Sequence, residues 1–293
     1  MSWVEAELRE QPEALERFLE AEQGNAVALA RELVQADVRY LLIASRGSSG
    51  NAARYAQYLF AAANRLPTAF ATPSVYTLYE TSPRLDGALA IAISQSGAFP
   101  DVVAVLTEAR RQGRPTLAIT NDPASPLAEA AEWTLPLHAG EERAVAATKT
   151  YLNSVAAVAL LSAALARSEE RLRELTGIAF EPWSPPDLLH GPIAALKPGR
   201  PVVVVAPSGP TLASMRDFVD KVYERGPEVI MISDDEELLG AAQTALPLVE
   251  TVPEWLSPLL TVVPGQLAAL RLATLRGIDV DRPLGLTKVT LTR

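Results

Sequence analysis

The sequence predicts an α/β fold of two units, each a parallel sheet flanked by helices, the second smaller than the first. Three observations carry this. Near-continuous apolar runs alternate with amphipathic helical patterns, as strands buried on both faces require. Two of those runs end in small, hydroxyl-rich turns, Ser45-Arg46-Gly47-Ser48-Ser49-Gly50-Asn51 and Ser94-Gln95-Ser96-Gly97. A Pro-rich segment, Glu181-Pro182-Trp183-Ser184-Pro185-Pro186, cannot be interior helix and joins two alternating sets. The boundary is placed near 167, giving units 1–166 and 167–293.

Residues 3–36 read as helix, because Leu8, Leu15, Phe18, Leu19, Val27, Leu29, Leu33 and Val34 recur at near three-to-four spacing among Glu and Arg. Strands are expected at 38–44, 68–72, 88–93, 115–119 and 132–136, with helices at about 51–65, 98–112 and 125–131 between them. An Ala-rich helix at 148–166 precedes the second set: strands near 202–206, 228–233 and 245–249, helices near 210–225 and 255–276. Val155 to Ala166 is well short of the roughly 20 residues of a membrane span and reads as a helix buried between packed elements.

Composition narrows the function. With 48% hydrophobic residues, the 293-residue chain can fill two cores of ordinary size. It has no cysteine, which excludes disulfides, Cys-ligated zinc and a thiol nucleophile. A net charge of −9 argues against nucleic acid and anionic membranes, whose phosphates it repels at long range. Met1 to Leu19 is acidic and lacks the basic and apolar regions of a signal peptide, so a cytoplasmic location is expected.

A turn that leads from a strand into a helix presents backbone N–H groups at the helix start, and Ser hydroxyls add to them. Such a turn can hold one phosphate dianion without Lys or Arg, even in an acidic protein. Gly and Ser are also what any tight strand-to-helix turn needs, but two such turns are harder to explain that way. Neither fits G-x-G-x-x-G, and G-x-x-x-x-G-K-[ST] is absent, so a small phosphorylated metabolite fits better than a dinucleotide or nucleoside triphosphate.

The chain resembles the sugar isomerase (SIS) domain family, in particular the isomerase half of glucosamine-fructose-6-phosphate aminotransferase and stand-alone aminosugar-phosphate deaminases. The matching stretches are Glu10-Gln11-Pro12, Arg46 to Asn51, Ile93 to Gly97, Thr120-Asn121-Asp122 with Ser125-Pro126-Leu127, Val145-Ala146-Ala147-Thr148-Lys149, His190-Gly191-Pro192, and Asp279-Val280-Asp281-Arg282-Pro283 through Lys288. Relatives carry a full second SIS domain. Its first strand, Ser-rich loop and following helix have no counterpart before Leu172-Arg173-Glu174-Leu175 here, so the second unit is expected to be abbreviated.

The resemblance implies a substrate-binding set of Arg46, Gly47, Ser48, Ser49, Ser94, Gln95, Ser96, Val145 and Ala147, with Lys149 and Glu142 in the same sugar-facing stretch as the last two. Each charge-assisted hydrogen bond to phosphate is worth about 1.5–3 kcal/mol. Ala147 replaces a Ser of many relatives. Where aminotransferases have Glu and Thr after Ser-Gln-Ser-Gly, this chain has Ala98 and Phe99, then Pro100-Asp101, a pattern nearer the stand-alone relatives. That tilts the reading from synthase towards deaminase or deglycase chemistry.

The resemblance also implies three catalytic residues. Glu174 matches the carboxylate that moves a proton between C1 and C2, although Arg-Leu-Arg-Glu is also an ordinary solvated helix face. His190 matches the histidine that opens the sugar ring and is supplied by a neighbouring subunit, which implies a homodimer. Lys288 matches the lysine that meets the open-chain carbonyl, where an imine would acidify the adjacent C–H. His138, the other histidine, is read as structural. No cofactor or metal is expected. The reading is thus a hexosamine 6-phosphate isomerase or deaminase without glutaminase activity. A sugar-phosphate sensor that binds without turnover is the alternative from another class. A serine hydrolase is disfavoured because neither turn gives G-x-S-x-G.

Overall fold

The computed structural model describes residues 2–176, 198 and 201–282. The chain divides into two compact units, residues 1–177 with 273–293, and residues 178–272.

The first unit opens with α1 (Trp3–Arg9) and α2 (Gln11–Gln35). The expected continuous helix 3–36 is broken at Glu10. Pro12 is the cause: it lacks an N–H and its ring clashes with the carbonyl four residues back, so it sits in the first turn of a new helix. There follow β1 (Tyr40–Ser45), α3 (Ser49–Leu59), β2 (Thr68–Phe70), α4 (Pro73–Thr77), β3 (Ala88–Ile93), α5 (Pro100–Arg111), β4 (Thr116–Thr120), α6 (Pro126–Ala130), β5 (Trp133–Pro136), α7 (Lys149–Leu165) and α8 (Glu169–Thr176). Helix α8, beyond the boundary expected near 167, groups with the first unit because it packs on α7. The end of α3 runs into a π turn, Phe60–Asn64, that closes at Arg65 with φ 57°. There Asn64 and Ser162 of α7 exchange hydrogen bonds of 2.9 and 2.6 Å.

All five strands are parallel, in the order β2-β1-β3-β4-β5. Register sorts the side chains. Ala44 pairs with Ala92 and Ala92 with Ala118, while Ile43 pairs with Ile91 and Ile91 with Leu117. Paired residues share a face, so one face is lined by alanines and the other by branched aliphatics. Against the alanine face pack Val102, Val105, Leu106 and Ala109 of α5. Helix α7 is buried along nearly its whole length between α2 and α3, as expected of the Ala-rich stretch.

The second unit is a smaller parallel sheet, β6 (Pro201–Ala206), β7 (Glu228–Ser233) and β8 (Thr244–Pro247), in sequential order. Its core joins Val204, Ala206, Val229 and Met231 to Met215, Phe218, Val219 and Val222 of α9 (Leu212–Tyr223). Helices α10 (Glu236–Ala241) and α11 (Pro258–Leu275) follow. Among the described residues α11 is the one helix long and apolar enough to cross a membrane, by length and composition only; Pro264 lies inside it.

Within the first unit, the approach to β3 is held by α5. Gln112 accepts the Leu85 N–H at 3.0 Å and donates to the Pro83 carbonyl at 3.0 Å and to Glu108 at 2.7 Å. Hydrogen bonds from the Arg111 guanidinium, then from Gln112, hold the Glu108 carboxyl at about 2. A carboxyl whose pKa is lower folded than unfolded adds stability above its usual value of 4.5 and loses it as pH falls towards 2. Melting temperatures measured from pH 7 to pH 2 should therefore show Glu108→Gln below wild type at neutral pH and the two curves converging at the acid end.

Candidate functional site

The sheet order places a reversal between β1 and β3. From β1 the chain crosses to β2 on one side, and from β3 it crosses to β4 on the other, so the turns after β1 and β3 part at the carboxyl edge, where an open sheet of this order leaves a crevice. Ligands of open α/β sheets bind at such a reversal. Ser45 and Ile93 are register partners, so the two hydroxyl-rich turns leave the sheet side by side. The cradle positions Arg46, Gly47, Ser48, Ser49, Ser94, Gln95 and Ser96 are therefore brought together.

The two turns offer different chemistry. In the first, Gly47 has φ 58°, a left-handed conformation that lets the chain turn straight into α3. Among the described residues no protein acceptor meets the amides of Gly47, Ser48 or Ser49. Ser48, at the helix N-cap, makes no capping bond with its side chain. In the second turn the hydroxyls are set in place by accepting: Gly97 N–H donates to Ser94 Oγ at 3.2 Å and Ala98 N–H to Ser96 Oγ at 3.3 Å. Each hydroxyl keeps its own proton to donate. The first turn is thus a row of amides, and the second a pair of hydroxyls fixed by the amides they accept.

Gly97 is the tightest point. Its φ is 60°, and a Cβ there would lie 2.1 Å from Ser125 Oγ and 2.5 Å from Ser125 Cβ. Ser125 in turn caps α6.

Side chains lace the turns after four strands into one rim. Arg46, after β1, bonds through Nε at 2.8 Å and through Nη2 to Oδ2 of Asp101, in the first turn of α5. The Gln95 carbonyl, after β3, accepts the Asn121 N–H at 3.0 Å. Asn121, after β4, accepts from Ala139 N–H at 2.9 Å and donates to the Gly140 carbonyl at 2.8 Å, after β5. Asp101 and Asn121 are the residues whose site role sequence reasoning missed. Both lie in stretches it singled out, but a bond across 55 residues leaves no local trace.

Val145 and Ala147 lie in the loop between β5 and α7, which is fixed from below by carboxylates. Glu142 accepts Thr148 N–H at 2.9 Å and Thr150 N–H at 3.1 Å, so it occupies the start of α7 itself. Buried Glu7 accepts the amides of Arg143 and Ala144. The Lys149 ammonium, almost wholly buried, pairs with Glu10. Glu142 and Lys149 are thus engaged within the protein. His138 pairs with Glu22 at 2.7 Å.

Glu174 is half-buried on α8, beside the fully buried Leu175. Burial pushes the Tyr55 hydroxyl pKa up, and the charge of Arg171, one turn before Glu174, opposes that shift. This brings α8 close to α3, the helix that starts at the first cradle turn. His190 and Lys288 lie outside the described residues. The tail leading to Lys288 is described as far as Arg282, where Asp281 accepts the α1 amides of Trp3 and Val4 at 3.0 and 3.2 Å.

The equivalent turn of the second unit is filled by the protein itself: Ser208 N–H donates to Asp234 at 2.7 Å and Thr211 N–H to Glu254 at 3.0 Å.

Residues 32–164 match the SIS domain family. The chain is 31% identical to the isomerizing glutamine–fructose-6-phosphate aminotransferase of Thermus thermophilus, with 96% of this chain and 57% of that protein covered. It therefore spans little more than half the length of that relative. The alignment occupies 349 positions, more than this chain has residues, so the relative carries segments with no counterpart here. A crystal structure of a candidate phosphosugar isomerase from Silicibacter pomeroyi is 27% identical, with TM-score 0.84, covering 96% of this chain and 100% of that one. The C-terminal domain of glucosamine-fructose-6-phosphate aminotransferase from Francisella tularensis, 21% identical, shares the fold with TM-score 0.84 over 97% of this chain and 98% of that one.

Gly97→Ala should lower stability by at least about 1–2 kcal/mol, the cost of a left-handed alanine, before the collision with Ser125 is counted. Chemical denaturation measures this, and Ser125→Gly added to it should recover the part due to the collision.

Proposed function

The chain is an SIS-domain protein resembling the isomerase half of glutamine–fructose-6-phosphate aminotransferase, and on that premise we propose that it is a phosphosugar isomerase or deaminase acting on a hexosamine 6-phosphate. The observation that carries this reading is the pair of neighbouring turns, open amides on one and amide-anchored hydroxyls on the other, at the reversal of the first sheet. Such a crevice fits one phosphate dianion and leaves the sugar to extend along the rim. With no cysteine, this chain has no thiol with which to hydrolyse glutamine.

In this reading Ser49, Ser94, Gln95 and Ser96 hold the 6-phosphate, Gly47 and Ser48 shape the first turn, and Val145 and Ala147 line the sugar. His190, from a neighbouring subunit of a homodimer, opens the ring and exposes the C1 aldehyde. Lys288 engages that carbonyl and acidifies the C2–H. Glu174 takes the C2 proton and returns it to C1 while a proton passes from the amine nitrogen to the C1 oxygen, so the aldehyde becomes a hydroxymethyl group and the amine an imine at C2; water then adds to the imine and releases fructose 6-phosphate and ammonia. No step needs a metal or redox cofactor. A cytoplasmic enzyme suits a phosphorylated metabolite.

A sensor is the second reading, favoured by one observation: among the described residues the second sheet has three strands against five in the first. Incubation with glucosamine 6-phosphate separates the two. The enzyme releases ammonia and fructose 6-phosphate, and Glu174→Gln should slow release by about 10²–10⁴-fold, the usual contribution of a positioned base. The sensor gives no product but a ligand-dependent rise in melting temperature. Equal rates in wild type and Glu174→Gln would remove Glu174 from the mechanism.

A further inference from the structure

Among residues 46–49 and 94–99, the two cradle turns, Arg46 carries the only charge. A cation in such a place invites assignment as a phosphate ligand, yet two of its three nitrogens already meet a carboxylate. Its Nε and Nη2 both face Oδ2 of Asp101, whose Oδ1 accepts the Val102 N–H at 2.9 Å. The Asp101 side chain is 1% exposed and that of Arg46 42%. If Arg46 swung away to meet a phosphate, the buried Asp101 would lose the guanidinium that its Oδ2 now meets, and breaking a buried ion pair is strongly unfavourable. The pair also joins the turn after β1 to the first turn of α5, just after the second cradle turn. It spans the crevice from one wall to the other.

We infer that Arg46 and Asp101 form a clasp that sets the width of the phosphate crevice. Arg46 is a positioning residue that acts through the backbone of the first turn, Asp101 acts through Arg46, and among the residues of the two turns the dianion is held by amide and hydroxyl dipoles. This rests on the phosphosugar reading of the cradle and goes beyond it by taking Arg46 out of the ligand set and putting Asp101 into the machinery.

The test is calorimetric titration of the full chain with fructose 6-phosphate and with inorganic phosphate, using wild type, Arg46→Gln, Asp101→Asn and the double variant. The clasp predicts that each single change weakens both probes by roughly 10- to 100-fold, the usual effect of a small misplacement of binding groups. The double variant should be no weaker than either single one, because both remove the same bond. Melting of the unliganded variants provides the control, since a purely structural defect lowers melting temperature without changing the affinity of the molecules that remain folded.

A direct ligand role predicts the opposite for Asp101→Asn: releasing Arg46 leaves phosphate affinity unchanged or raises it, and that result overturns the clasp. If Asp101→Asn does not fold, the reversed pair Arg46→Asp with Asp101→Arg replaces it. Affinity recovered relative to Arg46→Asp alone supports the clasp, and none recovered overturns it. Wild-type protein that binds neither probe would overturn the phosphosugar reading itself, and the clasp's role would fall with it.

Discussion

Two neighbouring parallel strands, β1 and β3, end at the same level and send the chain away in opposite directions. The crevice this opens is the constraint on which the site depends. A chain leaving a buried strand must turn before its helix begins, and the first amides of that helix have no partner within it. Where two such turns meet, the open amides of the first come beside the serine hydroxyls of the second. The field they create is local, so it can hold one dianion in a protein whose overall charge is −9. The rim bonds through Asp101, Asn121, Ala139 and Gly140 then keep the four turns from drifting independently.

Helix starts elsewhere in the molecule show what is distinctive about this crevice. Glu142 fills the start of α7, Asp281 that of α1, and Asp234 with Glu254 the turn before α9. In each case the chain supplies its own carboxylate as the anion. The start of α3 is left without one, although the chain has 35 acidic residues to choose from. The start of α3 shares that lack of a side-chain cap with α2, α4 and α5, but it alone among these follows directly on the turn after β1.

The strands of both sheets were legible in the sequence to within a few residues. Burial on both faces turns each into a continuous apolar run, and the run is local information. The cradle turns were legible for the same reason, since Gly47 and Gly97 answer a local demand for positive φ. The break at Glu10 and the π turn at Phe60–Asn64 were not, because helical periodicity continues across both and only Pro12 marks the first. Least legible were the long-range partners. Arg46 looks like a solvated cation or a ligand until Asp101 is placed beside it, and Glu142 looks sugar-facing until the amides of Thr148 and Thr150 are found on it. His190 and Lys288, identified by resemblance alone, lie outside the described residues.

The division of the chain has a consequence for its synthesis. The first compact unit is discontinuous: it takes residues 1–177 and then 273–293, so the whole second unit is made in between. A ribosome adds residues one after another from the N-terminus, and domains generally fold as they emerge. The five-stranded sheet can therefore assemble early. The carboxylate of Asp281 that satisfies the first amides of α1 arrives more than 270 residues after the helix it caps. During that interval the two amides must be served by water, and the first unit gains this contact only after the second unit has been made.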